Sequence, residues 1–518
     1  MVSKVLFLIL TTVSLAAAHP NTGNVMYCTQ PKLVLDTAQK TIVSRLKSIA
    51  PALVLDKALC LAARDYGRAA VRAEKTGMNL GGRVLSRISW RNGVPYANVM
   101  PLSVESKLDE GFWNLLENFV GTNVLGRGYT AMGVFVEKGV ITLLFAMRPV
   151  FVKPVSPVQK HHAAVEVTFE SNKRLVAPRV LMATPKGKVR TTPTRPGPVA
   201  GSMTALISPV DGDGRYLIEL LTRGPNGPVV DLLFPLFFGV PPFYNDIQEF
   251  IPVQPLLSNR DAALQALDVL RQARRIRGLK QLRIDPDLSK IAYNRARQVV
   301  VSGSALIHRF PGDKGLLFRM KKHNLPVGKA SENLAIGPSP REAAFACLES
   351  PSHLANLVDP RPTHTGLAVL PQQGGEGGYV LVQVFAEILP EAAGRDLASR
   401  LIESINRKRK ESGLAPLVRS EVLTRIAVDH CKAMVREGIL SDELPGTNSI
   451  LEDVRQSYTV DEIALDLFAT WRWEQALDSE KVLDPKNSVI GASVLQARGN
   501  AAGKSTRKYW MVIIYGRR

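Results

Sequence analysis

An offset of 135 residues carries one stretch of this sequence onto another. Gly278-Leu279-(x)2-Leu282-(x)5-Leu288-(x)2-Ile291-Ala292 recurs as Gly413-Leu414-(x)2-Leu417-(x)5-Leu423-(x)2-Ile426-Ala427, and Gly303 maps to Gly438. Leu357-Val358-Asp359-Pro360 returns as Val482-Leu483-Asp484-Pro485, and Tyr379-Val380-Leu381-Val382 as Tyr509-Trp510-Met511-Val512. A weaker echo, Leu53-(x)2-Asp56-(x)2-Leu59, matches Leu282-(x)2-Asp285-(x)2-Leu288. Self-similarity of this kind means one architecture used more than once.

Within each copy, helical and strand patterns follow one another. Asp285-Pro286 places an N-cap before proline at the first helical position, and Leu288, Ile291, Ala292, Arg295 and Val299 continue at helical spacing. Asp56 stands in the same way before Ala58, Leu59, Ala62, Ala63 and Tyr66. Residues 131–136 and 140–145, joined by Glu137-Lys138-Gly139, and residues 379–385 read as strands. The expected architecture is a multi-domain α+β chain with units at 30–150, 256–390 and 396–518. Between the first two, residues 155–250 carry short alternating runs broken by Pro- and Gly-rich turns, the pattern of a small immunoglobulin-like β-sandwich. It is expected to be a spacer without a site. Because it separates the first unit from the second, the last two units are expected to pack closely and the first to stand more independently. His161-His162 read as solvent-facing linker residues rather than a metal pair, since neighbours on a strand point to opposite faces.

A length of 518 residues suits three or four domains, and 45% hydrophobic against 22% charged residues excludes a disordered polymer. The formal charge of +20 calls for anionic surroundings: nucleic acid, a lipid or lipopolysaccharide surface, or an acidic wall polymer. The basic residues are spread along the chain and aromatics are only 6%, which argues against nucleic acid. Lys4, the apolar run 5–15 and Ala16-Ala17-Ala18 have the form of a signal peptide over residues 1–18, so a secreted or periplasmic protein starting near His19 is expected. The longest later apolar run, Leu232 to Pro242, is broken by Pro235, Gly239 and Pro241, so no transmembrane segment is expected. Among the four cysteines only Cys28 and Cys60 share a segment, which makes them the disulfide candidates; single buried thiols are the alternative.

Chemistry concentrates in residues 256–390. His308, Glu332 in Ser331-Glu332-Asn333-Leu334-Ala335, and His353 in Ser350-Pro351-Ser352-His353 suit a divalent metal or an acid/base cluster if the fold unites them. Gly499 to Ser505 is one residue short of a phosphate loop and lies between two strand patterns, so it reads as a hairpin turn. No H-E-x-x-H, G-x-S-x-G or C-x-x-C is present.

Taken in order, these pieces resemble the CAP superfamily (cysteine-rich secretory proteins, antigen 5, pathogenesis-related 1) in its bacterial form, over about residues 260–388. The resemblance rests on Arg277-Gly278-Leu279-(x)2-Leu282, Asp285-Pro286-(x)-Leu288, His308, Glu332-Asn333-Leu334-Ala335, Ser350-Pro351-Ser352-His353, Gly366-Leu367-Ala368-Val369 and Gln383-Val384-Phe385. It implies α-β-α sandwiches: one intact-looking copy, with degenerate CAP-like copies before and after it. It further implies a cleft in which His308 and His353 hold zinc or another divalent cation beside Glu332 as first acid. Where the family often has a Trp and, three residues on, a second Glu, this chain has Cys347 and Ser350. The offset carries His308 onto Glu443, and alignment of the Asp-Pro steps carries His353 onto Asp478, so the last copy lacks both imidazoles. His323 and His364 fall on no family site position and are expected at the surface. The expected function is ligand binding (a lipid, an anionic cell-envelope component or a protein) without catalysis. The alternative is a metal-assisted hydrolase of peptides or envelope polymers, with Glu332 as its base.

Overall fold

The computed structural model describes residues 26–171, 175–199, 201–243, 249–252, 257–302, 306–323, 325, 327–372, 378–388, 394–501 and 504–517. The signal segment 1–18, the helix stop at Gly303 and the stretch 389–393 between the last two units lie outside the described residues.

The first unit runs α1 (Thr37–Ile49), β1 (Val54–Leu55), α2 (Lys57–Lys75), β2 (Met78–Leu80), α3 (Val84–Arg91), β3 (Val99–Glu105), α4 (Glu110–Asn123), β4 (Ala131–Glu137), β5 (Val140–Ala146). Nine strands follow: β6 (Phe151–Val152), β7 (Val158–Gln159), β8 (Val165–Glu170), β9 (Arg179–Ala183), β10 (Val189–Thr192), β11 (Thr194–Pro196), β12 (Ser202–Ile207), β13 (Gly214–Gly224) and β14 (Gly227–Phe238). After β15 (Phe250–Pro252) the second α+β unit runs α5 (Asn259–Arg275), β16 (Arg283–Ile284), α6 (Pro286–Ser302), α7 (Leu316–Lys322), β17 (Val327–Gly337), α8 (Pro340–Leu348), α9 (Pro351–Leu357), β18 (His364–Pro371), β19 (Tyr379–Ile388). The last unit has α10 (Gly394–Glu411), β20 (Val418–Arg419), α11 (Glu421–Glu437), α12 (Ile450–Ser457), β21 (Glu462–Thr470), β22 (Val489–Ala501), β23 (Lys504–Arg517).

One sheet topology occurs three times, in the orders β1-β4-β5-β3, β16-β18-β19-β17 and β20-β22-β23-β21. In each, a two-residue strand pairs parallel with the third strand and every other pairing is antiparallel. The junction into the following helix is also the same. The backbone N–H of Asp56, Asp285 or Ser420 donates to the carbonyl of Met132, Thr365 or Ile490 on that third strand, at 2.8–2.9 Å. The side chain of the same residue then accepts from the backbone N–H of Leu59, Leu288 or Leu423, capping the helix.

The α-β-α layering of the second unit follows from strand alternation. Leu334, Ala368, Leu370, Val380, Val382 and Val384 face α6 and α7, while Ala335, Leu367, Val369, Leu381 and Phe385 face α5 and α8. The last unit divides in the same way, between α10 on one face and α11 with α12 on the other.

Strands β6 to β14 form two sheets, β10-β9-β13-β14-β7 and β11-β12-β8-β6. Val180, Ile218, Leu220 and Phe234 of one meet Val167, Phe169, Ala205 and Ile207 of the other. This core does not stop at the sandwich. It continues through Ala58, Leu59, Ala62 and Ala63 of α2 and Val84 and Ile88 of α3, and reaches Leu354 of α9. Pairing of β15 with β2 and the ion pairs of Glu249 with Arg72 (2.6 Å) and Arg87 (2.9 Å) add to the junction. Arg83, nearly buried, pairs with Glu342 (3.6 Å) and Glu349 (3.4 Å) of the second unit and stacks over Phe345, while Arg215 of β13 reaches Glu349 at 3.4 Å. The expected order of association is therefore reversed. The first unit, the sandwich and the second unit share buried contacts, because apolar faces of α2, α3 and α9 are left for the sandwich sheets to cover. The last unit keeps its own two cores and meets the second where Lys321 Nζ lies 5.3 Å from the Trp471 ring centre.

The expected Cys28–Cys60 disulfide is not formed; all four cysteines are free thiols. The Cys60 sulfur points from α2 into the sheet and accepts from the Val134 N–H at 3.3 Å. Cys28 lies in the turn after Tyr27, whose backbone pairs with Val155. Burial raises both thiol pKa values, that of Cys60 to about 11, so neither is a reactive thiolate at neutral pH.

Candidate functional site

Glu332 lies on the edge strand β17 opposite Val384, with its side chain on the α6–α7 face. His308 Nδ1–H donates to Glu332 Oε1 at 3.1 Å, and Arg319 of α7 donates to Oε2 at 2.5 Å. Arg319 also donates to Asp313 Oδ2 at 3.0 Å, and Asp313 pairs with the buried Arg295 of α6. The carboxylate is thus held in a chain of alternating charge and is nearly buried, with 4% side-chain exposure. Neither Arg319 nor Asp313 was singled out from the sequence; the closely spaced Asp313, Lys314 and Arg319 after His308 were the only signal.

Asn333, next along β17, points to the opposite face. Its Nδ2 donates to the His353 carbonyl at 3.1 Å, and Asn356 Nδ2 donates to its Oδ1 at 2.8 Å. Successive strand residues therefore do different work: Glu332 meets His308, and Asn333 docks α9. His353 stands near His308, and burial together with the His308 charge pushes its pKa down to about 4. His323 bonds Asp287 at 3.2 Å and His364 bonds Thr363 at 2.8 Å, so neither joins the cleft.

A buried acid from another unit holds the start of α9. Ser350, which precedes α9, donates through Oγ to Glu219 Oε2 at 2.6 Å, and the Ser352 N–H donates to Glu219 Oε1 at 3.2 Å. Glu219 is on β13, fully buried, and its pKa is raised by burial, opposed by these hydrogen bonds. At the β13–β14 turn, the Arg309 N–H donates to the Asn226 carbonyl at 3.0 Å, and Gly227 lies directly against His308. The sandwich is therefore a wall of this cleft and not a plain spacer. Sequence spacing could not show this, because 131 residues separate Glu219 from Ser350.

Direct ligation of a divalent cation by Glu332 fits this arrangement poorly. The carboxylate of Glu332 is already used on both oxygens, by His308 and Arg319. Among the described residues, His308, Glu332 and His353 do not form a three-residue cluster of potential metal ligands. The hydrolytic scheme of metal-activated water with Glu332 as base has no support in this geometry.

A neutral His353 makes the fold acid-sensitive. Its pKa of about 4 in the fold lies below the ordinary unfolded value near 6.5. The unfolded chain therefore takes up the proton first. The contribution to stability is complete above about pH 6.5 and is lost as the pH falls toward 4. Wild type is expected to lose about 2 kcal/mol more than His353→Gln between pH 7.5 and pH 5. Urea midpoints at the two pH values measure it, and equal losses in both proteins would refute the assignment.

Two segments, residues 267–385 and 402–515, match the sequence model of the CAP family, described as the cysteine-rich secretory protein family. No curated protein matches the chain. Similar solved structures include an outer surface protein of Borrelia burgdorferi, at 20% identity over 26% of this chain and 100% of that one, with a TM-score of 0.24. A cysteine-rich secretory protein of Staphylococcus aureus is 14% identical over 55% of this chain and 94% of that one, with a TM-score of 0.22. An extracellular protein of Bacillus anthracis containing an SCP domain is 16% identical over 54% and 93%, with a TM-score of 0.23. Residues 267–385 and 402–515 are thereby assigned to the CAP superfamily.

Proposed function

We propose that the chain is an exported, non-enzymatic CAP-domain protein whose cleft at residues 256–390 binds a phosphate-bearing component of the cell envelope. The observation that carries this reading is the engagement of both Glu332 oxygens, which leaves the cleft a fixed polar surface with no free carboxylate. Around it the exposed Arg309, Lys314, Lys321 and Lys322 form a basic rim, in keeping with the net charge of +20. The leader-like residues 1–18 support export, and no described helix is long and apolar enough to cross a membrane. We read residues 30–150 as a third, divergent copy of the CAP-like unit, supported by the shared strand order and capping junction.

Co-sedimentation of the full chain with phosphatidylglycerol-containing vesicles, and separately with lipopolysaccharide, tests the binding and separates its two sources of phosphate. Binding is expected to weaken with salt, and Arg309→Glu with Lys322→Glu is expected to weaken it about tenfold. Affinity that is independent of both charges overturns the reading. Zinc-stimulated hydrolysis of a peptide or glycan, abolished in Glu332→Gln, would establish the hydrolase instead.

A further inference from the structure

The structure assigns a divalent transition-metal site to His161, His162 and Asp213 of the β-sandwich. The two histidines occupy the turn between β7 and β8, closed by the Ala163 N–H on the Lys160 carbonyl at 3.3 Å. Extended backbone would send adjacent side chains apart. His162 instead adopts φ +53°, in the left-handed region that costs a non-glycine residue energy, and the two rings lie with centres 3.8 Å apart. Asp213, in the loop leading into β13, brings its Oδ2 against His161 Nδ1. Its Oδ1 is buried and has no hydrogen-bond partner among the described residues.

One ligand atom from each residue lies within 4.8 Å of the others. A four-coordinate ion with metal–nitrogen bonds of about 2.0–2.1 Å needs ligand atoms roughly 3.4 Å apart, so small side-chain rotations close the set. The scaffold is firm. β14 pairs with β7 at Phe237–Val158 and Phe238–Gln159, and the Gly239 N–H donates to the Gln159 carbonyl at 3.1 Å. Gly239 has φ +63°, and a Cβ there would overlap the Asp213 carboxylate. Two imidazoles and one carboxylate make a mixed nitrogen–oxygen set, which selects zinc, cobalt, nickel or copper over calcium or magnesium. The His161 side chain is 65% exposed, so the ion keeps open positions for water or an outside ligand. The bound metal ties the β7–β8 turn to the entry of β13.

Titration of the metal-free full chain with Co²⁺, followed by its visible absorption, and with Zn²⁺ by calorimetry tests the site. One ion per chain is expected, with a rise in the thermal unfolding midpoint. His161→Ala, His162→Asn and Asp213→Asn are each expected to weaken binding about 100-fold. Asn suits position 162 because it tolerates the left-handed backbone, and unchanged circular dichroism shows that each variant is folded. No binding, binding indifferent to all three changes, or binding lost instead in His308→Ala/His353→Ala overturns the assignment.

Discussion

Gly366→Ala is expected to cost about 3 kcal/mol or more, and Gly366→Val to prevent the second unit from folding. Gly366 lies on β18 where α6 crosses it, and a Cβ there would fall well inside 3.0 Å of the Leu288 and Ser289 backbone. Backbone cannot rotate aside as a flexible side chain can, so helix and sheet must separate and lose contact along their length. The same approach occurs in the other units, where Gly133 meets the backbone of Leu59 and Cys60, and Gly491 that of Leu423 and Thr424. Each glycine faces the leucine whose N–H is capped at the start of the crossing helix. Gly133→Ala and Gly491→Ala should therefore cost similar amounts. Gly121, on the exposed side of α4 with nothing near its missing Cβ, is the control, and Gly121→Ala should be stabilising by up to about 1 kcal/mol. Urea unfolding of the four variants decides the matter. A mild effect at all three strand glycines would refute the close approach.

Arg274→Leu and Arg409→Leu are expected to cost about 3–5 kcal/mol each. The two arginines are 1% exposed and bind backbone carbonyls. Arg274 donates to Leu357 and Asp359 at 2.8 and 2.9 Å and to Lys280 at 2.9 Å. Arg409 donates to Val482 and Asp484 at 3.0 and 2.9 Å and to Ala415 at 2.8 Å. Each guanidinium fixes the Asp-Pro segment that leads into the third strand, and leucine leaves those buried carbonyls without a donor. Lysine would recover only part, since a point charge cannot reach three divergent acceptors. Trp471, Trp473 and Trp510 lie in the last unit and none lies in the second, so the fluorescence transition of Arg409→Leu should split and that of Arg274→Leu should not. Unshifted transitions in both would show that the carbonyls find other partners.

These arginines also show how far the repeat could be read. They stand 135 residues apart, the offset of Gly278 and Gly413, yet an arginine four residues before a turn glycine looks like one more surface charge. Their burial depends on a segment some 80 residues later, since the acceptor Leu357 is 83 positions from Arg274. The pair His308 and Glu332 was readable from its motif. Arg319, which occupies the second Glu332 oxygen, and Glu219, which holds Ser350, were not. Both act across elements whose relative placement no local spacing records.

By itself, the sequence determined what repeats: the capped helix behind a two-residue strand, the alternating strands with two apolar faces, and the glycine where helix and sheet touch. Those features are local, set by hydrogen-bond geometry, side-chain period and the space a Cβ needs. Only the tertiary structure decided which surfaces meet. It merged the core of the first unit with that of the sandwich, joined a buried acid of β13 to the start of α9, and set Asp213 beside two histidines that an extended strand would have parted. Such contacts join residues 50 to more than 250 positions apart, where chain connectivity imposes almost no constraint and the burial of complementary faces does.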